Sequence, residues 1–486
     1  MAAPAIAPPA PPVHCRIKTR RLALTPNLRG LNQLFSQRRC PAILGGNDAK
    51  ACGGRFSYWA ADPIDLFECR IGQTDPLGRL DRALSRYILA SDQPTPLPRE
   101  MFCGGWMGSF SYDLGRYLED LPTTTRDDLQ MPIIRLGFYD SLIAYDYHTR
   151  ATWLIALELD DRVAGCRAAF DKLSDCLDQA TQIEYRTFDR ADMEAIDVAG
   201  THGNMSPATY LKQVQKIKAY IRDGETYQVN FSRRFDCPFR GKGIDLFHWQ
   251  NQHNASPFAA YLAWPGFSVV SASPEMFLKR TGNLITTRPV KGTRPRLAND
   301  ELANRAGVQD LLHSPKELAE LNMIIDLERN DLARICIPGT RHVAEARSIE
   351  AYPTLFHAVA TVSGQLADDT RFRDLLQATF PGGSITGAPK IRSMEIIDET
   401  EPTARGLYTG SIGFIGVDGN ACLNIAIRTI IITRQTAFAQ TGGAIVADSD
   451  ALAEYQETIT KARALLAGIA GVQTQNQNIP RALTAS

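Results

Sequence analysis

Two segments of this chain repeat one acidic spacing. Ser314-Pro315-Lys316-Glu317 opens a predicted helix, with Ser314 as N-cap and Pro315 at the first helical position, and Glu320 follows Glu317 on the same face one turn later. A second predicted helix begins after Asp448-Ser449-Asp450 and places Glu454, Glu457 and Lys461 at i, i+3 and i+7. Two such faces could converge on one hard cation through carboxylate oxygens alone. No histidine accompanies either pair, so Mg²⁺ suits the donors better than Zn²⁺. Glu317 also completes a capping box with Ser314, and each pair reads equally well as a solvated helix face.

Three further segments could meet an anion. The loop Phe380-Pro381-Gly382-Gly383-Ser384-Ile385-Thr386-Gly387-Ala388-Pro389-Lys390 is rich in glycine and hydroxyls and runs into a predicted helix, so it could aim N–H and O–H groups at an anion. Ala388-Pro389-Lys390 departs from the Lys-Ser/Thr ending of a P-loop, which leaves a small carboxylate, or a plain β-to-α turn, as the readings. Arg288, Lys291, Arg294 and Arg296 crowd one segment after a predicted strand. A solvated basic loop is the default, yet a lysine held beside an apolar wall such as Val290 can lose its proton and become a nucleophile. Arg428, among Ile425, Ile427 and Ile430, is a cation in a predicted strand otherwise fit for burial, and it requires an anionic partner.

The elements that must position these groups are mixed. Residues 207–222 read as a helix, 259–270 and 277–287 as strands, and 408–417, 422–433 and 437–446 as three successive strands. Upstream, 133–147 and 151–159 read as a hairpin pair and 162–183 as a helix. Neighbouring strands with helices inserted irregularly predict an α+β fold, not a doubly wound parallel sheet. A composition dip over 188–205 predicts a boundary, dividing the chain into a disordered tail (1–13), an N-terminal region (14–187), a second region (206–470) and a loose polar tail (471–486).

Composition narrows the class. With 44% hydrophobic and 22% charged residues the chain is globular, and 53 basic against 53 acidic residues leave no net field to capture a nucleic acid or an acidic membrane surface. No apolar run reaches the roughly 18 residues of a membrane span. The ten cysteines are scattered without a C-x-x-C pair, a pattern suited to the reducing cytoplasm and not to zinc or dithiol chemistry.

Several motifs together carry a resemblance. Ser273-Pro274-Glu275, Pro289-Val290-Lys291-Gly292-Thr293, Asp326-Leu327-Glu328-Arg329-Asn330-Asp331, the 381–390 loop and Glu454-Tyr455-Gln456-Glu457-Thr458 resemble, in order and spacing, the chorismate-utilising enzymes. The similarity runs from about residue 209 to residue 467. It is weaker upstream, where Gly104-Gly105-Trp106-Met107-Gly108 and Tyr112-Asp113-Leu114 are the clearest shared segment. The resemblance implies a large layered fold of packed β-sheets flanked by helices, like that of anthranilate synthase component I, with 206–470 as the chorismate-binding catalytic region. It implies Mg²⁺ held by Glu320 and Glu457, with Glu317 and Glu454 nearby, against the ring carboxylate of chorismate. It assigns Tyr408 and Arg428 to the enolpyruvyl carboxylate, and His357, Ser384, Thr386, Gly442, Gly443 and Lys461 to other pocket positions. Ala444 stands where the family often has a third glycine.

Lys291 matches the branch of the family that replaces the C4 hydroxyl of chorismate with ammonia, giving 4-amino-4-deoxychorismate for 4-aminobenzoate and folate synthesis. There the lysine is the nucleophile and Glu275 the general acid. Gln228 occupies the position where water-adding relatives carry a lysine base, which fits ammonia as the incoming group. No cysteine lies in a G-x-C-x-G context, so the expected partner is a separate glutamine amidotransferase subunit, and no fused lyase is expected. Ala42-Ile43-Leu44-Gly45-Gly46 replaces the Leu-Leu-Glu-Ser tryptophan site of anthranilate synthases, so tryptophan feedback is not expected. The rival readings are anthranilate synthase component I, which aminates C2 and eliminates pyruvate, and a catalytically silent chorismate-binding subunit.

Overall fold

A computed structural model describes residues 11–477 apart from 48–53, 91–95, 163–165, 186, 189–200, 298–299 and 353–354. Two large sheets carry the chain. The first has twelve strands and runs from Gly387–Ala388 and Gln228–Pro238 at one edge, through Thr436–Ile445, Thr429–Thr433 and Phe267–Ser273, to Val13–Leu22 and Tyr87–Leu89 at the other. The second has ten and runs from Val290–Pro295 through Leu355–Gln365, Leu284–Arg288, Met276–Thr281, Ala421–Asn424 and Ser411–Gly416 to Gly105–Phe110, Ile134–Tyr139 and Asp65–Cys69. Pairing is antiparallel except between Val13–Leu22 and Tyr87–Leu89. The expected α+β class holds.

Burial on both faces explains why several strands read as unbroken apolar runs. Ala151–Leu159 is buried along nearly its whole length, beneath the helix Cys166–Gln182. Both sheets draw strands from each side of the predicted boundary at 188–205. Leu262 pairs with Ala42 in the first, and Ser411 pairs with Phe110 in the second. That boundary therefore divides the sequence and not the sheets; most of it, 189–200, lies outside the described residues.

Several expectations change. The strand expected at 422–433 is two strands in different sheets, Ala421–Asn424 and Thr429–Thr433, because residues 425–428 carry the chain from one sheet to the other. Arg428 is thus not inside a strand but at this crossing, half-buried, with a positive φ of 49°. Tyr408 precedes its strand, which begins at Ser411. At the C-terminus, the helix Ala451–Gln477 continues into the segment expected to be loose, and its Val472 is fully buried beside Leu465 and Ile469. At the N-terminus, Val13 is the first, buried residue of a strand and not the last residue of a tail. Residues 1–10 and 478–486 lie outside the described set. Among the described residues no helix is long and apolar enough to cross a membrane.

Candidate active site

A second crossing runs beside the first. Pro274-Glu275 takes the chain from Phe267–Ser273 in one sheet to Met276–Thr281 in the other, and the two crossings are laced together. Ile425 N–H donates to the Glu275 carbonyl at 3.0 Å, the Ser273 hydroxyl donates to the Ile425 carbonyl at 2.6 Å, and Ala272 N–H donates to the Arg428 carbonyl at 3.0 Å. Glu275 is held by this lacing at 4% exposure, where loss of water raises its carboxyl pKa above the usual range. The Ser384 hydroxyl and Val290 N–H both hydrogen-bond its carboxyl and oppose that rise.

Lys291 reaches the same place from the edge of the second sheet. Between Val290, opposite Val359, and Thr293, opposite His357, the ladder slips by one residue, so Lys291 and Gly292 form a bulge. Gly292 has a φ of +84°, and a Cβ there would stand 2.8 Å from Glu317 Oε2. Glycine lets the strand bend and the helix Pro315–Ala333 close in. The Lys291 amine donates to the Ser384 carbonyl at 3.3 Å. Loss of water lowers its pKa, while the carboxylates of Glu275 and Glu320 act in the opposite sense. Glu275 and Lys291 are therefore each moved toward the neutral form: a carboxylic acid beside an amine, which is the pairing that acid catalysis by one and nucleophilic attack by the other requires.

The acidic helices flank this pair. Glu320 and Glu457, from different helices, both act electrostatically on Lys291. A Cβ on Gly443 would lie 2.9 Å from Glu454 Oε2 and 3.7 Å from Glu457 Oε1, so glycine admits the second helix. Each carboxylate already has a partner. Ser314 caps the first helix by accepting from Glu317 N–H, but the Glu317 carboxylate takes Arg294 at 3.2 Å, so the capping reading holds only in part. Glu454 accepts from Ser449 at 2.7 Å, and Glu457 pairs with Lys461 at 2.6 Å. Among the described residues no three carboxylates, histidines or cysteines are gathered as a metal cluster. The donors fit Mg²⁺ in chemistry, as all-oxygen ligands, and an ion that keeps several waters needs only one or two of them.

On the anion side, Arg428 forms no ion pair with any described residue, and loss of water lowers its pKa. Its guanidinium acts on His357, which is 2% exposed and pushed down to about 4 by loss of water and by that cation, so the imidazole is neutral near pH 7. His357 Nδ1 and the Thr293 hydroxyl are 2.9 Å apart. Tyr408 is buried, with its pKa raised by loss of water. Gln228 is completely buried, and neither atom of its amide has a hydrogen-bond partner among the described residues. Thr386 is turned inward, its hydroxyl donating to the carbonyls of Gly382 and Gly383, and the Gly442 carbonyl already accepts from Lys461 at 2.9 Å.

Four residues near the site escaped sequence reasoning. Asn230 donates to the Ser384 carbonyl at 3.1 Å. Tyr352 packs edge-on against His357 and gives its hydroxyl to Glu350 at 2.6 Å. Glu328, its carboxyl pKa raised by burial and by the neighbouring Asp331, accepts from Thr287 behind Gly383. Arg405 is fully enclosed against Glu401. Glu328 lies inside the 326–331 motif, which by itself assigns it no role; the Glu401/Arg405 spacing of four reads as an ordinary surface pair. A separate cavity of about 470 Å³ lies between the sheets, bounded by Leu44, Gly45, Pro274, Arg288 and Val290, so the 42–46 segment faces that space and not Lys291.

The family model described as chorismate binding enzyme matches residues 47–467. The aminodeoxychorismate synthase component 1 of Klebsiella aerogenes is 40% identical over 437 residues, covering 87% of this chain and 92% of that protein. An anthranilate synthase component 1 of Haloarcula marismortui is 37% identical, covering 85% of this chain and 83% of that protein. The crystal structure of anthranilate synthase component I from Streptococcus pneumoniae superposes with a TM-score of 0.73 at 29% identity, covering 84% of this chain and 92% of that one.

Proposed function

The chain belongs to the chorismate-binding enzyme family, and from that membership we propose that it replaces the C4 hydroxyl of chorismate with ammonia, giving 4-amino-4-deoxychorismate for 4-aminobenzoate and folate synthesis. The observation that carries this reading is the Lys291–Ser384–Glu275 arrangement, in which amine and carboxyl are both moved toward neutrality beside one residue. The neutral Lys291 amine attacks C2; electron pairs of the two ring double bonds shift toward C4, the C4–O bond breaks, and Glu275 gives its proton so that the hydroxyl leaves as water. Ammonia then attacks C4, the double bonds shift back, the C2–N bond to Lys291 breaks, and Glu275 recovers a proton from the incoming nitrogen. Chorismate and ammonia become 4-amino-4-deoxychorismate and water, with nothing oxidised or reduced.

Arg428 and Tyr408 hold the enolpyruvyl carboxylate, an anion that would satisfy the unpaired guanidinium. Glu320 and Glu457, with Glu317 and Glu454 beside them, are the residues to hold Mg²⁺, which when bound neutralises the ring carboxylate. Gln228 faces the incoming nucleophile with an amide too weakly basic to activate water. Ammonia is supplied by a glutamine amidotransferase subunit, and the reaction takes place in the cytoplasm. A second reading, amination at C2 with loss of pyruvate, is favoured by the 37% identity with an anthranilate synthase component. The product formed from chorismate, Mg²⁺ and an ammonium salt, identified by mass and absorbance, separates the two.

A further inference from the structure

We propose that Arg405 is a positioning residue for the Lys291 amine, acting through the Ser384 carbonyl that accepts from it. This rests on the proposed function only in giving Lys291 its role.

The Ser384 carbonyl has two donors, Lys291 Nζ at 3.3 Å and Asn230 Nδ2 at 3.1 Å. Arg405 grips the chain on both sides of that acceptor. Its Nη1 donates to the carbonyl of Ile385, the next residue, at 3.1 Å, and its Nη2 donates to the carbonyl of Asn230, the other donor. Nη1 also reaches the Thr409 hydroxyl at 3.3 Å. Glu401 fixes the guanidinium in turn, accepting from Nε at 3.0 Å and from Nη2 at 2.7 Å, and its Oε1 accepts as well from Ser232 N–H at 2.9 Å and Ser232 Oγ at 2.7 Å. The planar fork thus ties three site-bearing segments, 228–232, 384–385 and 408–409, to one buried point. Lysine, a single flexible point charge, cannot reproduce it.

The N-terminal half seats this point. The Tyr112 ring lies 4.8 Å from the guanidinium carbon, Asp113 Oδ2 accepts from Gly406 N–H at 2.9 Å, and Ser111 Oγ donates to the Gly406 carbonyl at 2.6 Å. Arg405 itself touches neither Lys291 nor Glu275 by a hydrogen bond. A displacement of the Ser384 carbonyl by a fraction of an ångström would nevertheless leave the amine without its acceptor, and misplacement of about 1 Å is enough to cost a reaction roughly a hundredfold.

The test compares the full chain with Arg405→Lys. Two readouts are taken on folded protein: turnover of chorismate with ammonium, and the rate at which Lys291 is reductively methylated relative to the exposed Lys461 in the same digest. The expected result is a fall in kcat of at least about tenfold with the KM for chorismate within about threefold, and a Lys291/Lys461 labelling ratio raised by about threefold or more as the amine loses its acceptor. If Arg405→Lys does not fold, Glu401→Gln replaces it, since it keeps the volume and loosens the guanidinium, and the same changes are expected. A folded variant with a lowered Tm but an unchanged kcat and labelling ratio would show that Arg405 only supports the fold. If the unaltered chain makes no 4-amino product, the proposed function fails, while the labelling ratio still decides the role of Arg405.

Discussion

Lys291 and Glu275 meet at opposite ends of one residue: the Ser384 carbonyl accepts from the lysine amine at 3.3 Å, and the Ser384 hydroxyl hydrogen-bonds the glutamate carboxyl. The lysine arrives through a bulge at the edge of one sheet, and the glutamate from a crossing between the two sheets. The proposed nucleophile and the proposed acid are thereby held by the fold before any substrate enters.

Each member of the pair should fail in its own way. Lys291→Ala removes the proposed nucleophile and is expected to abolish the 4-amino product while chorismate still binds; calorimetric titration with chorismate and Mg²⁺ checks the second half. Glu275→Gln keeps the shape but donates no acidic proton, so kcat should fall by roughly 10² or more with KM little changed. A Lys291→Ala chain that turns over at the normal rate would refute the nucleophile assignment.

The acidic helices carry the metal expectation. Glu320→Gln and Glu457→Gln each remove an anionic donor, so each should raise the Mg²⁺ concentration needed for half-maximal activity by about tenfold or more, with Tm nearly unchanged. Unaltered Mg²⁺ dependence in both variants would mean that these faces serve the helices and not an ion.

Stability should depend on pH through two histidines. His357 and His248 are both pushed from 6.5 down to about 4, the first by burial and Arg428 and the second by burial and Arg29. Below about pH 6.5 the unfolded chain takes up protons that the folded chain refuses. The stability that each group contributes is therefore present above that pH and lost as pH falls toward 4. Between pH 7 and pH 5 the loss should be about 2 kcal/mol per histidine. In urea unfolding, His357→Gln should shrink that difference by about this amount relative to the unaltered chain. An equal pH 7 to pH 5 difference in the two proteins contradicts the buried neutral imidazole.

The ammonia supply gives a further test. The isolated chain should use ammonium salts, better at alkaline pH where more NH₃ is free, and should not use glutamine; adding a compatible amidotransferase subunit should confer glutamine use. Glutamine-dependent turnover by the chain alone contradicts the need for a partner.

Many of the candidate residues were legible because they sit in short local motifs, and the family resemblance gave those motifs their expected chemistry. The capped helix at Ser314, the glutamates one turn apart and the lysine after Val290 need only local geometry to be read. What local patterns hid is tertiary. The run from Ile425 to Ile432 is apolar throughout apart from Arg428 and Thr429, so nothing in it marks the change of sheet at 425–428. The polar residues after Val472 read as a tail because Val472 is buried against the backbone at Gly241, distant in sequence. Glu401 and Arg405 have the spacing of a solvated helix pair, and only enclosure by Tyr112, Ser232 and Ile385 makes them a buried hub. The bulge at Lys291 and Gly292 depends on the register against Leu355–Gln365, which the sequence of either strand alone does not specify.

The most direct measurement is the product itself. The purified chain is incubated with chorismate, Mg²⁺ and an ammonium salt, and the products are resolved by chromatography with mass and absorbance detection. The account predicts 4-amino-4-deoxychorismate, with the enolpyruvyl group retained and no pyruvate released. Anthranilate with stoichiometric pyruvate, or chorismate recovered unchanged, would contradict it.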